Sequence, residues 1–241
     1  MTIIKHLDQN TPAVQYLIQK DKRLAKVIQM VGPINYQLQT NAYSFLVGQI
    51  IEQMLSKKVA HILTQRLKYN CADQIRPITI YHLSDEQLLS IGISHSKVHY
   101  IKNLTEAILT GKVNFSSYLQ ISDTQVIDSL TTVKGIGIWS AKMFLIFSLD
   151  RPDILPFEDM AFLQSYSWIY KTHNFKKSAV EKKCQKWHPY ASIASRYMYQ
   201  AKNLGLTKKT FHLYKKIALK ALYHGHCVGQ CFSFRLSFIW Y

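Results

Sequence analysis

Apolar residues recur every three or four positions along most of the chain, with polar residues between them. Residues 12–31 show this spacing at Leu17, Leu24 and Ile28, and glycine and proline follow directly. The pattern predicts one or two amphipathic helices that stop at Gly32.

The segment 43–69 repeats the spacing at Leu46, Ile50 and Met54 and contains no proline. It predicts a long helix. The last turns, from Lys57 onward, either continue that helix or form a second one.

Two serines carry the signature of a helix start. Ser84 and Ser122 are each followed three residues later by a glutamine, Gln87 and Gln125, and then by apolar residues. This is the pattern of a capping box. Because strand-like alternation is scarce, we predict an all-α protein.

Gly135 and Gly137 lie between a polar helical segment and an apolar one. Glycine lets the backbone turn with positive φ, so we expect a hairpin between two helices. The N-terminus of the second helix would then present free N–H groups, which favour a phosphate. A Gly-x-Gly turn taken alone is more often structural. The candidate phosphate-binding residues are Val133, Lys134, Gly135, Ile136 and Gly137.

Composition and charge indicate which class of molecule the protein binds. The chain has 241 residues, of which 48% are hydrophobic, so it can bury a core as one large domain or two lobes sharing a cleft. Its net charge is +16. From position 160 onward only Glu181 is acidic, so basic residues dominate the C-terminal third. This charge favours a polyanion such as nucleic acid.

The four cysteines fit no strong metal-binding spacing. Cys227 and Cys231, with His224 and His226, come nearest, and we interpret them as incidental. The first residues lack a signal-peptide pattern, and no apolar run is long enough to span a membrane. We therefore expect a cytoplasmic protein, associated with the nucleoid if it is bacterial, without a membrane partner.

The hairpin and the segment after it resemble the helix-hairpin-helix (HhH-GPD) DNA glycosylases, most of all the 3-methyladenine DNA glycosylase II type. The resemblance implies a two-lobed helical fold with the active site in the cleft. It places the hairpin at residues 133–138 of a domain covering 1–223, and leaves the tail 224–241 without a role. The matching segments are 50–60, 92–101, 130–141, 156–159 and 187–199, within a region of roughly 21–205.

Asp159 matches the aspartate that supports cleavage of the N-glycosidic bond in this family. A fixed carboxylate would stabilise an oxocarbenium-like sugar or orient the attacking water. Glu158 and Asp153 are the nearby alternatives. Bifunctional relatives carry a lysine where this chain has Trp139, so the resemblance implies hydrolysis without strand cleavage. We interpret Lys142, like Lys134, as a phosphate contact or a solvated side chain.

An alkylated purine is cationic, and aromatic faces favour it through stacking and cation–π attraction. Trp139 and Tyr199 are the leading candidates for the base pocket, the latter by resemblance only. The weaker candidates are Tyr166, Trp168 and Tyr197.

The base must leave the duplex stack before its bond to the sugar can be reached. Met54 is the candidate wedge that fills the gap, and Gln53 the candidate probe of the orphaned base. An equally weighted alternative places Met54 in the core, because it continues the apolar spacing of its helix.

Two positions depart from the family pattern. Glu52 stands where a glycine is usual, and near DNA it should point away or pair with Lys57 or Lys58. Ala191 replaces a common arginine. Both departures bear on substrate range more than on fold.

Together with these residues, the resemblance implies a monomeric DNA glycosylase that flips 3-methyladenine and 7-methylguanine out of damaged duplex DNA and releases them by hydrolysing the N-glycosidic bond. One alternative keeps the chemistry and changes the lesion to deaminated, oxidised or mismatched bases. Another is a non-catalytic DNA-binding module. No cofactor is implied: the four-cysteine iron–sulfur motif of some relatives is absent, and a structural monovalent cation at the hairpin is compatible with the resemblance.

Overall fold

The computed structural model describes residues 3–214, and the stretch through Phe211 forms one compact unit. The predicted boundary at residue 223 and the tail 224–241, with its cysteines and histidines, lie outside the described residues. No helix within residues 3–214 is long and apolar enough to cross a membrane. Twelve α-helices are present in this part of the chain: α1 Pro12–Lys20, α2 Lys22–Val31, α3 Ala42–Glu52, α4 Lys57–Asn70, α5 Pro77–His82, α6 Asp85–Ser90, α7 His95–Leu109, α8 Asp123–Thr131, α9 Ile138–Phe147, α10 Met160–Tyr170, α11 Lys177–Cys184 and α12 Ala191–Asn203.

One lobe is built from α3 to α9 around a continuous apolar core. Helix α9 is central to it, because the four consecutive residues 143–146 are all buried. A helix covered on every side must be apolar all round, and Lys142 is its single charged residue. Val133 and Ile136, in the turn between α8 and α9, belong to the same core, which anchors that turn to the lobe.

The other lobe joins the beginning and the end of the described chain. Helices α1, α2, α10 and α12 pack on one another there. Leu17, Leu24, Phe162 and Tyr197 are fully buried among them. The connection from α9 to α10, residues 148–159, therefore crosses from one lobe to the other.

The predicted helices are confirmed, and the structure shows whether each of the two long segments forms one helix or two. The first predicted segment is two helices, separated at Asp21, whose carboxylate caps α2. The segment 43–69 is also two helices, α3 and α4, with the break at residues 53–56. Both predicted capping boxes are present, at Ser84 and Ser122.

The all-α prediction omitted one short antiparallel sheet. Strand β1, Ile4–Leu7, pairs with β2, Ile34–Gln37, so that Leu7 lies opposite Ile34. Each strand has four residues, and Leu7 is the buried one in β1. So short a strand leaves almost no alternating pattern for sequence analysis to detect.

Candidate active site and hairpin

The turn between α8 and α9, residues 132–137, is held from inside its lobe. Val133 and Ile136 are buried, and the Ile136 N–H donates to the Val133 carbonyl at 3.0 Å. Lys134 and Gly137 are exposed. The apolar residues fix the turn, while its polar side faces solvent.

The two glycines of this hairpin differ in conformation. Gly135 has a φ of +106°, and a methyl group on its Cα would lie 2.3 Å from the Cβ of Tyr100 on α7. Gly137 has a φ of −96° and open space around its Cα. The prediction of left-handed backbone is thus wrong for Gly137. Gly135 is needed for shape and close packing, whereas a side chain at Gly137 would project into the space before α9.

The hairpin presents unpaired backbone donors to that space. Within the described residues, the N–H groups of Gly135 and Gly137 find no acceptor, and no side chain caps α9. The first N–H groups of a helix also lack intrahelical partners. Together with the helix dipole, these groups make a site suited to an anion.

Met54 lies in the tight turn between α3 and α4, on the same lobe. Its backbone is left-handed, with a φ of 57°, and its side chain is fully exposed. The alternative that placed Met54 in the core is therefore wrong. A strained backbone that displays a large apolar side chain to water is typical of a functional site.

Gln53 connects this turn to the hairpin. Its Nε2 donates to the carbonyl of Gly135 at 2.9 Å. The end of α3 is held further by Lys97, whose Nζ donates to the Ile51 carbonyl at 2.8 Å. The amide nitrogen of Gln53, the predicted probe of the orphaned base, thus joins two loops 82 positions apart in sequence.

Asp159 is the N-cap of α10 and lies where the interlobe connection ends. Its Oδ1 accepts the N–H of Phe162 at 2.7 Å, and its Oδ2 accepts the indole N–H of Trp139 at 2.8 Å. These bonds orient the carboxylate without neutralising it. No ion pair to Asp159 is found among residues 3–214.

The two alternative carboxylates are occupied elsewhere. Glu158 forms an ion pair with Lys142, whose Nζ lies 2.9 Å from both carboxylate oxygens. Asp153 accepts the N–H of Ala191 at 3.1 Å and is paired with His188. Lys142 is thus neither solvated nor available to a phosphate as predicted. Burial lowers the pKa of Lys142, and Glu158 partly offsets this effect.

Tyr199 comes from α12, on the other lobe, and lies beside Asp159. Its hydroxyl is buried, and its ring centroid lies 6.0 Å from that of Phe147. Burial raises the pKa of Tyr199 well above its ordinary value, and the Asp159 carboxylate raises it further. The hydroxyl therefore keeps its proton at neutral pH. The predicted residues Trp139, Asp159 and Tyr199 lie together where the two lobes meet.

The weaker aromatic candidates are not at this site. Tyr166 and Tyr197 are buried in the core of the other lobe. Trp168 donates its indole N–H to the Lys209 carbonyl and packs edge-on against Phe211. Each is a structural residue, as isolated aromatic residues usually are.

The two departures from the family pattern have local partners. Glu52 accepts from Gln49 Nε2 at 3.5 Å and lines, with Lys57, a cavity of about 470 Å³ between α3 and α4. The predicted ion pair of Glu52 with Lys57 or Lys58 is not observed in the described residues. Ala191 starts α12, and only its backbone N–H is used, toward Asp153.

Sequence analysis did not identify Lys102, although this residue stabilises the lobe built from α3 to α9. Its Nζ donates to the carbonyls of Ile80, at 3.1 Å, and of Leu83, and thereby caps the end of α5. A lysine in a helical pattern gives no sign of such a partner, because the acceptors are 19 or more positions away in sequence.

A hairpin suited to an anion, an exposed apolar side chain and a carboxylate without an ion-pair partner in residues 3–214 are the features expected of a protein that binds a nucleic-acid backbone. Residues 47–189 match the family model described as HhH-GPD superfamily base excision DNA repair protein. The chain belongs to this family.

Individual relatives agree with this assignment. The chain is 27% identical over 187 residues to DNA-3-methyladenine glycosylase 1 of Schizosaccharomyces pombe, covering 76% of this chain and 82% of that protein. The crystal structure of a DNA-3-methyladenine glycosidase from Bacillus halodurans superposes with a TM-score of 0.77 at 29% identity, over 87% of this chain and 97% of that one. An S. pombe 3-methyladenine DNA glycosylase in complex with abasic DNA gives 0.71 at 26% identity, over 80% and 97%. The predicted family and the two-lobed helical fold are confirmed.

Proposed function

We propose that this protein is a monofunctional DNA glycosylase that hydrolyses the N-glycosidic bond of alkylated purines, 3-methyladenine and 7-methylguanine, in duplex DNA. One observation carries the proposal: the Asp159 carboxylate is oriented by Trp139 but has no ion-pair partner in residues 3–214. The names of the similar proteins support the same lesion class.

The hairpin binds a phosphate next to the lesion through the free N–H groups of Gly135 and Gly137, and Lys134 adds charge. Such contacts hold the duplex without reading its sequence. Met54 then enters the stack as the base leaves it, because a long, flexible apolar side chain can fill an irregular gap. The aromatic rings of Trp139 and Tyr199 receive the cationic base.

Asp159 acts on the sugar. As the base departs, positive charge develops on the deoxyribose, and a fixed carboxylate lowers the energy of that state more than the energy of the ground state. The N–H groups of Phe162 and Trp139 hold the carboxylate in place before the reaction. Bifunctional relatives form a Schiff base through a lysine at the position that Trp139 occupies here. Without that lysine, the protein leaves an intact strand with an abasic site.

The decisive experiment compares Asp159→Asn with a matched control, Asp153→Asn, on methylated duplex DNA. Asparagine at position 159 still caps α10, and at position 153 its side-chain oxygen can still accept the Ala191 N–H, so both variants should fold and bind DNA. Release of 3-methyladenine and 7-methylguanine should fall by about 100- to 1,000-fold for Asp159→Asn and remain near wild type for Asp153→Asn. Equal activity of wild type and Asp159→Asn would contradict the role of Asp159.

If the wild type binds DNA but releases neither base, the proposed substrate is wrong. The alternative substrates, deaminated, oxidised or mismatched bases, would then be tested with a panel of lesions. Failure on every lesion would leave a DNA-binding module without catalysis. Borohydride trapping of a protein–DNA adduct would contradict the monofunctional mechanism.

The proposed partner is damaged duplex DNA, bound by a monomer. The hairpin provides its own test, since Gly137→Ala adds a methyl group in open space and should leave folding unchanged. We expect weaker DNA binding from this variant, because the methyl group would occupy the position proposed for the phosphate. Sedimentation of the protein–DNA complex would give the stoichiometry.

A further inference from the structure

The Tyr199 hydroxyl is a buried polar group that lies beside the Asp159 carboxylate. Among the described residues it makes no hydrogen bond of good geometry, but it is close enough to Asp159 for their interaction to raise the pKa of the hydroxyl. Buried hydroxyl groups are nearly always hydrogen-bonded. A ring that served only for stacking would not need a hydroxyl at this position, and phenylalanine would avoid the desolvation that the hydroxyl suffers.

The neighbouring carboxylate has unused capacity. An ionised carboxylate offers about four acceptor positions, and Asp159 uses one on each oxygen, for Phe162 and Trp139. The charged groups that act on Tyr199 are Asp159 and Glu158, which raise its pKa, and Arg196, which lowers it. Glu158 and Arg196 have partners of their own, in Lys142 and Asp150. Asp159 is therefore the group with which the hydroxyl can share a ligand.

We propose that Tyr199 is a catalytic residue whose hydroxyl, together with Asp159, holds the water that attacks the sugar. This inference rests on the proposed function. A buried water requires two to four polar partners, and the carboxylate and the hydroxyl supply two of them. The water donates one hydrogen to Asp159 and the other to the Tyr199 oxygen, which directs a lone pair of the water oxygen toward C1′ of the deoxyribose.

The step balances without a further reactant. A bond forms between the water oxygen and C1′, and the bond from C1′ to the purine nitrogen breaks. Its electron pair stays with the alkylated purine, which was cationic and leaves neutral. One proton of the water passes to Asp159 and then to solvent. Tyr199 keeps its own proton throughout.

The test is Tyr199→Phe, which keeps the ring and removes only the hydroxyl. Its control is Tyr197→Phe, which makes the same change two positions earlier in α12, in the core of the other lobe. With methylated duplex DNA in single-turnover conditions, we expect Tyr199→Phe to release 7-methylguanine about 10- to 100-fold more slowly, with unchanged DNA affinity. Tyr197→Phe should keep the wild-type rate.

A second measurement separates water positioning from a structural effect. In buffer containing methanol, the sugar is captured either by water, giving an abasic site, or by methanol, giving a methyl glycoside. Removal of the hydroxyl should shift the products toward the methyl glycoside. A normal rate for Tyr199→Phe, or a slower rate with an unchanged product ratio, would overturn the proposal while the function stands. No base release by the wild type in the same assay would overturn both.

Discussion

Two aspartates of this protein have nearly the same local chemistry and very different surroundings. Asp21 caps α2 and Asp159 caps α10, and each accepts a tryptophan indole N–H, from Trp187 at 2.9 Å and from Trp139 at 2.8 Å. Asp21, however, is buried and also bound by Tyr170 and by Lys186, whose Nζ lies 3.1 Å away. Asp159 is only partly buried and has no ion-pair partner within residues 3–214.

The difference shows what converts a structural carboxylate into one suited to catalysis. At Asp21 every acceptor position is used by the protein, so the charge ties α1 and α2 to α10 and the turn at residues 185–187. At Asp159 two donors fix the geometry and the remaining capacity is left for a ligand. We expect Asp21 to determine stability and Asp159 to determine rate.

The largest effect should come from removing each charge. Asp21→Asn places an amide among three donors and breaks the ion pair of a buried carboxylate with the half-exposed Lys186, which should lower the free energy of unfolding by about 3 kcal/mol. Asp159→Asn should lower it by only about 1 kcal/mol, since the cap to Phe162 is kept and the bond from the Trp139 indole is the one lost. Urea denaturation of the two variants measures this contrast. Equal losses of stability would remove the distinction between the sites.

A smaller effect should follow from removing each indole N–H. Trp187→Phe deletes a hydrogen bond to a buried charge and should cost about 1.5–3 kcal/mol of stability. Trp139→Phe deletes the equivalent bond in the cleft, and we expect about a tenfold slower base release with thermal stability near that of the wild type. Melting curves and single-turnover rates on both variants provide the comparison. A Trp139→Phe protein with normal rate would show that the bond does not orient Asp159.

The smallest effect is the pH dependence. Burial alone would raise the pKa of Asp21, but the hydrogen bonds from Tyr170, Trp187 and Lys186 outweigh it, so the pKa lies below its ordinary value. Asp21 therefore contributes its full stabilisation above the unfolded pKa of about 4, and this is lost as the pH falls through the folded value. The difference in unfolding free energy between wild type and Asp21→Asn should be constant from pH 7 to about 5 and shrink in stronger acid. A difference that grows with acidity would contradict this account.

The sequence was most informative where the chemistry is contiguous. One short motif contains Gly135, Gly137 and Trp139, and Asp159 follows 20 residues later. The turn chemistry of the glycines and the family resemblance therefore identified all four residues. Capping boxes at Ser84 and Ser122 were equally readable, because their partners are three residues away.

The features that sequence analysis did not predict depend on contacts between residues far apart in the chain. The Asp21 network joins residues separated by 149 and 166 positions, and no pattern near Asp21 indicates it. Met54 was ambiguous because it continues an apolar spacing, and the break after Glu52 contains neither glycine nor proline. The ion pair of Lys142 with Glu158 was hidden for the same reason, since a lysine near a hairpin is as readily a phosphate contact.

The hydrogen bond from Gln53 to Gly135 has a mechanical consequence for the nucleic acid. It joins the turn that carries Met54 to the hairpin proposed to bind phosphate, so the protein fixes the distance between the proposed wedge and the proposed phosphate site. In the proposed complex the duplex bends to reach both points, and the energy of bending depends on the base steps involved. Flexible steps, and steps already weakened by a damaged base, accept this geometry at lower energy. On the proposed function, the protein would therefore favour lesions through the stiffness of the DNA before any group of the active site has contacted the base.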